Sequence, residues 1–133
     1  MNYLLIVLLL WENAGLNVKE ALVSFLYGER IKVGLLTAAR LVESVNDMSD
    51  EDRVGAEKLL LDFLNLLAGE INLAFNATQV SHYGEASRIF RKCVENVKSG
   101  KYDEAVRKIS EAISATTTGC QEAAEILRMR ELL

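Results

Sequence analysis

The sequence predicts an all-α fold: a single-domain bundle of five to six helices around a central apolar helix at about residues 49–76. Three observations carry that expectation. The 133 residues contain no proline, the residue that interrupts helices by removing a donor and clashing with the preceding turn. Apolar residues recur at three- and four-residue steps along nearly the whole chain, which is the period of one helix face. The composition is 50% hydrophobic but only 7% aromatic, so the core is aliphatic and suited to helix packing. The length fits one domain, and no repeat or long linker divides it.

The first predicted helix covers about Asn2 to Asn13 and is closed by Ala14-Gly15-Leu16. Its run Tyr3 to Trp11 is the most apolar stretch in the chain. It lacks the basic start and small-residue cleavage site of a signal peptide. It is also far short of the ~20 apolar residues of a membrane span, so no span is expected. The run reads as a helix buried in the core or against a second copy, with Leu5, Leu8, Leu9 and Trp11 as candidate interface residues. Phe25, in the next helix, joins them.

Asn17 begins the second helix, with Glu20 three residues on as in a capping box. Apolar positions continue to Val45. Tyr27-Gly28-Glu29-Arg30 is either a break or a close helix crossing, and one long helix is the favoured reading. Ser49 with Asp50, Glu51 and Asp52 marks the next start, because acids suit the positive end of a helix. That third helix runs to about Asn76. Asp62, Asn65, Asn72 and Asn76 form a thin polar line along it, read as a solvent-facing stripe or as a polar seam that fixes register in a dimer.

Residues 76 to 83 are polar and connect to a fourth helix carrying Ile89, Phe90, Cys93, Val94 and Val97 on one face. Ser99-Gly100 ends it. A fifth helix starts near Lys101, with Asp103 and Glu104 in its first turn. Thr116-Thr117-Thr118-Gly119 is expected to break it, with Thr118 and Gln121 capping a short last helix.

Charge and composition exclude several functions. The net charge is −4, which disfavours nonspecific nucleic-acid binding. The basic residues Arg88, Arg91, Lys92, Lys98, Lys101, Arg107 and Lys108 are interleaved with acids. Arg91 with Glu95 and Glu104 with Lys108 are spaced to pair across a helical turn. Cys93 and Cys120 have no metal-type partner spacing and read as buried thiols of a cytoplasmic protein. His82 is the only histidine, and one histidine does not make a zinc or di-iron site. Asp47, Asp50, Glu51 and Asp52 lack the ligand order of a calcium loop. No cofactor, metal or catalytic set is expected.

Gly100-Lys101-Tyr102-Asp103-Glu104-Ala105, continued by Ile109 and Ala112, resembles one tetratricopeptide helical hairpin. The match covers about a quarter of the chain, with Lys92 where that family prefers a large apolar residue. The hairpin also resembles those of HEPN-type bundles, whose ribonucleases use an arginine followed closely by a histidine. His82 has no such arginine, the nearest upstream being Arg53, so the resemblance implies a packing solution without a catalytic site. In texture the whole chain resembles small, uncharacterised all-helical archaeal proteins. The expected function is a noncatalytic protein–protein interaction or assembly module forming a homodimer. The alternative is a nucleic-acid accessory protein or a HEPN-like enzyme lacking its motif.

Overall fold

The computed structural model describes Tyr3 and residues 17–133. Among the described residues all regular structure is helical, in four antiparallel elements: α1 (Val18–Asn46), α2 (Asp50–Thr78), α3 (Ser81–Lys98) and α4 (Tyr102–Met129). The all-α class therefore holds, with four helices where five to six were expected. The predicted first helix lies outside the described residues. Thr116–Gly119, expected to break the fifth helix, stays helical, and the connection expected over residues 76–83 shrinks to Gln79 and Val80.

Two helix starts follow the predicted caps, while α3 and α4 begin after Val80 and Lys101 with no side-chain cap. The Asn17 side chain accepts from the Glu20 amide at 2.9 Å and donates back to its carboxylate at 3.3 Å. Ser49 accepts from the Asp52 amide at 3.3 Å. Each satisfies an amide that the first turn leaves without a partner. α1 runs unbroken through Gly28 for 29 residues, as the single-helix reading expected.

The turns are equally local. Gln79 closes α2 in the left-handed conformation at φ 56°, with its amide bonded to Phe75. At the α3–α4 turn Gly100 has φ 74°. The Lys101 amide reaches Asn96 and the Gly100 amide reaches Val97, the paired bonds of a Schellman cap. The Arg53 guanidinium finishes α1 by donating to the carbonyls of Val45, Asn46 and Met48. It also pairs with Asp50 and lies over the Tyr102 ring. One side chain thus joins the end of α1, the start of α2 and the start of α4.

Thr116–Gly119 stays helical although the buried Thr116 hydroxyl has no hydrogen-bond partner among the described residues. The Thr118 hydroxyl donates to the Ser114 carbonyl four residues back, the usual way a hydroxyl is accommodated in a helix. Thr116 is fully buried. A Cβ on Gly119 would lie 2.9 Å from the Tyr83 ring, so this glycine marks close packing.

α4 is the most extensively buried of the four helices, packed against α1 and α3. The expectation that residues 49–76 form the centre is thus overturned. α2 buries only Leu60, Leu64, Leu67, Ile71 and Ala74, one narrow stripe against α1 and α3. α4 buries Ala105, Ala112, Ala115, Ala123 and Ala124 among others, and these short side chains let its neighbours approach. The main core holds Ile31, Leu35, Leu64, Ile71, Tyr83, Phe90 and Ile109. A smaller cluster joins Ala21 to Ala123, Ile126 and Leu127.

Gly28 and Gly55 separate packing from propensity. A Cβ on Gly28 would come within 2.1 Å of the Cys120 sulfur and 2.5 Å of the Tyr83 hydroxyl, whereas one on Gly55 would meet nothing within 4 Å. Gly55→Ala is expected to raise stability by about 1 kcal/mol through helix propensity. Gly28→Ala is expected to lower it by about 1–3 kcal/mol through overpacking. Urea unfolding followed by circular dichroism checks both. Equal effects at the two positions would refute the close crossing.

Candidate functional site

The residues that looked like chemistry have ordinary partners. His82 Nε2 lies 3.1 Å from Glu122 Oε1. Asp50 pairs with Arg53. Among the described residues no group of three or more His, Cys, Asp or Glu side chains is placed to hold a metal ion. The expected pairs Arg91–Glu95 and Glu104–Lys108 give way to three-residue pairs: Lys98 with Glu95, Arg107 with Glu104 and Lys108 with Glu111. These are exposed and weak, and each pairs a cation of the basic stretch with its own acid. A groove between α3 and α4 is lined by Arg88, Lys92 and Lys108 together with Glu85 and Glu111, so its charge is mixed.

The most ordered polar group is internal. The Tyr83 hydroxyl donates to the Ser24 carbonyl at 2.6 Å. With that proton committed, the Ser24 hydroxyl donates to the tyrosine oxygen at 3.1 Å. The Cys120 thiol points at the Phe25 carbonyl at 3.7 Å. Tyr83 and Ser24 are fully buried. Burial raises the Tyr83 phenol above its ordinary value and also raises the Cys120 thiol. Burial alone pushes the Cys93 thiol up to about 12. Tyr102 is pushed to about 12 by burial and by its hydrogen bond to the Glu57 carboxylate. Every one of these groups is held in its neutral form, so none is poised as a nucleophile.

The predicted interface residues divide. Leu5, Leu8, Leu9 and Trp11 lie outside the described residues. Phe25 is half-buried and packs on the Ala21–Leu127 cluster of its own chain. The predicted polar line is present as a surface: Asp62, Asn65, Asn72 and Asn76 are all exposed on α2. The sequence reasoning missed what runs beside it. Leu59, Leu66 and Leu73 repeat every seven residues and are 72%, 73% and 56% exposed. Their spacing was visible, but a leucine row on a helix assigned to the core reads as core.

α1 carries a matching row. Leu22, Leu26, Val33 and Leu36 are exposed on the side opposite the buried Ile31, Leu35, Ala38 and Val42. Register between the helices is set by the Arg30–Glu70 pair at 3.0 Å and by Gly34 seated against Leu67. That antiparallel register puts Leu26 level with Leu73, Val33 with Leu66 and Leu41 with Leu59. The outer face of the α1–α2 pair is thus a ladder of three apolar rungs, with the ion pair between the first two. α2 is also the one described helix long and apolar enough to cross a membrane, though only 28% of its most apolar window is buried.

No family model, curated protein or solved structure matches the chain.

The raised thiols and phenols give the fold a defined alkaline limit. In the unfolded chain Cys93 and Tyr102 lose their protons near 9 and 10, whereas in the folded chain they keep them to about 12. The unfolded state therefore binds fewer protons through this window, and stability falls as pH rises. Urea midpoints are expected to fall between pH 8 and pH 11, and both thiols to resist a disulfide reagent at pH 8 until urea is added. A midpoint that stays level to pH 11 would refute the assignment.

Proposed function

We propose that the chain is a noncatalytic helical assembly module that associates with a second copy of itself in the cytoplasm. The observation that carries this reading is the row Leu59, Leu66 and Leu73, exposed at seven-residue spacing on the one described helix with a long, charge-poor apolar window. Seven-residue apolar spacing beside polar positions is the pattern by which helices pair with helices. An exposed contiguous apolar surface on a small domain marks an interaction site. The internal chemistry supports the same reading, because Tyr83, Ser24 and Cys120 bond across helices and the buried thiols and phenols are held neutral.

A membrane is the competing solvent for such a helix, and the polar line argues against it. Asp62, Asn65, Glu70 and Asn72 interrupt the surface that lipid would have to cover. An aspartate at the middle of a spanning helix costs about 2.5–3.5 kcal/mol. Against a protein partner the same asparagines find hydrogen-bonding groups and fix register. Two buried free thiols fit a reducing compartment.

The wild-type protein is expected to run as a dimer in size-exclusion chromatography with light scattering at micromolar concentration. Leu66→Asp is expected to run as a monomer of unchanged helicity, since residue 66 is exposed within its own chain. A wild type that stays monomeric and soluble at millimolar concentration would overturn the proposal.

A further inference from the structure

We infer that the end of the bundle beyond the Tyr83 slot is a hinged unit: the first turns of α1 and the last turns of α4 open together while the main core stays folded. This concerns the single chain and does not depend on the self-association proposed above.

The described residues form two apolar cores that do not join. The main one draws on all four helices, and it reaches no further than Tyr27 on α1 and Ala115 on α4. The smaller one joins Ala21 to Ala123, Ile126 and Leu127, with Val18 and Phe25 packed against it. Among the described residues, α2 and α3 contribute nothing to it. Between the two lies a layer of glycine, hydroxyl and thiol groups. It holds Ser24 and Gly28 on α1, the Tyr83 phenol from α3, and Thr116, Gly119 and Cys120 on α4. The side-chain links across this layer are few. The Tyr83 ring sits in its slot and its hydroxyl bonds the Ser24 carbonyl. The Cys120 thiol meets the Phe25 carbonyl, and the exposed His82–Glu122 pair ties α3 to α4. Elements that share little buried apolar contact open separately.

Only α1 and α4 pass from one core to the other, and both are weak as helices where they cross. Gly28 and Gly119 lie at the same level, each against Tyr83, and glycine is among the poorest helix formers. On α4 the glycine follows three consecutive threonines, whose branched side chains lose rotamer freedom in a helix. The buried Thr116 hydroxyl has no partner among the described residues, and opening returns it to water.

The sequence also provides for the open form. Thr118 followed three residues later by Gln121 is a capping box. In the closed helix that box is unused: Thr118 donates to the Ser114 carbonyl and Gln121 is exposed. With α4 broken at Thr116–Thr117, the same two residues cap a separate helix that begins at Gly119. A helix of that length gives its amides little protection by itself, so opening is visible in exchange.

Native-state hydrogen exchange on the full chain, at urea concentrations below the unfolding transition, tests the inference. Amides 121–127 of α4 and 22–27 of α1 are expected to share one opening that urea does not promote. It is expected to be at least about tenfold more frequent than the opening of amides 106–114. Ile109→Val weakens the main core, which the open form keeps. It is expected to speed exchange at 106–114 several-fold and to leave 121–127 unchanged. Tyr83→Phe removes a hydrogen bond that only the closed form has, and is expected to speed both sets several-fold. If Ile109→Val speeds both sets equally, the bundle opens as one unit and the inference is overturned. Protection that falls residue by residue towards Met129, with Tyr83→Phe leaving 121–127 unchanged, is fraying without a hinge and overturns it as well.

Discussion

The architecture depends on the slot that holds Tyr83. Its ring enters from α3 between two glycines, Gly28 on α1 and Gly119 on α4. A side chain larger than hydrogen at either position would collide with the ring or with Cys120. The phenol then reaches the Ser24 carbonyl. Three helices are fixed at a single point, and a buried hydroxyl is satisfied there at the same time. Leaving that hydroxyl without a partner would cost about 1–3 kcal/mol. The close approach is what makes α4 central, because it can lie against α1 and α3 only where both present small residues or a slot.

That choice determines what happens to α2. With α4 occupying the middle, α2 is left to pack on the edges of α1 and α3 through one stripe of five buried residues. Its remaining leucines have nowhere inside the chain to go. A helix with a narrow buried stripe can be polar over the rest of its surface, and most surface helices are. α2 instead keeps Leu59, Leu66 and Leu73 outside, level with apolar residues of α1. The exposed ladder is what remains of α2's apolar surface once its single buried stripe is packed.

The caps were legible in the sequence because capping is local. Asn17 with Glu20, Ser49 with Asp52, and Gly100 each act within a few residues of their own position, and each stands where the sequence put it. Burial was not legible, because it depends on which helices approach most closely. Hydropathy ranks α2 above α4, since leucine is more apolar than alanine. Close packing ranks them the other way, since Ala105, Ala112, Ala115, Ala123 and Gly119 permit approach that leucine prevents. The same confusion explains Thr116–Gly119. Threonine and glycine in a row read as a helix stop, but here Thr116 and Gly119 are small residues buried in the packing of α4. The polar line on α2 was read correctly as a line. Its apolar neighbour went unnoticed because the helix had been assigned to the interior.

The functional argument then follows from which groups have partners. His82 has Glu122, Asp50 has Arg53, Tyr83 has Ser24, and Tyr102 has Glu57. Each polar feature that invites a catalytic reading is neutralised or bonded by a neighbour that the fold supplies. The surface without such a neighbour is apolar, runs across two helices and covers about half to two-thirds of their length. Apolar surface does no acid–base work, holds no metal and orients no substrate by charge. What it does in water is associate, with a free-energy gain that scales with area. That is the physical basis of the proposed self-association, and the exposed leucine row of α2 is what supports it.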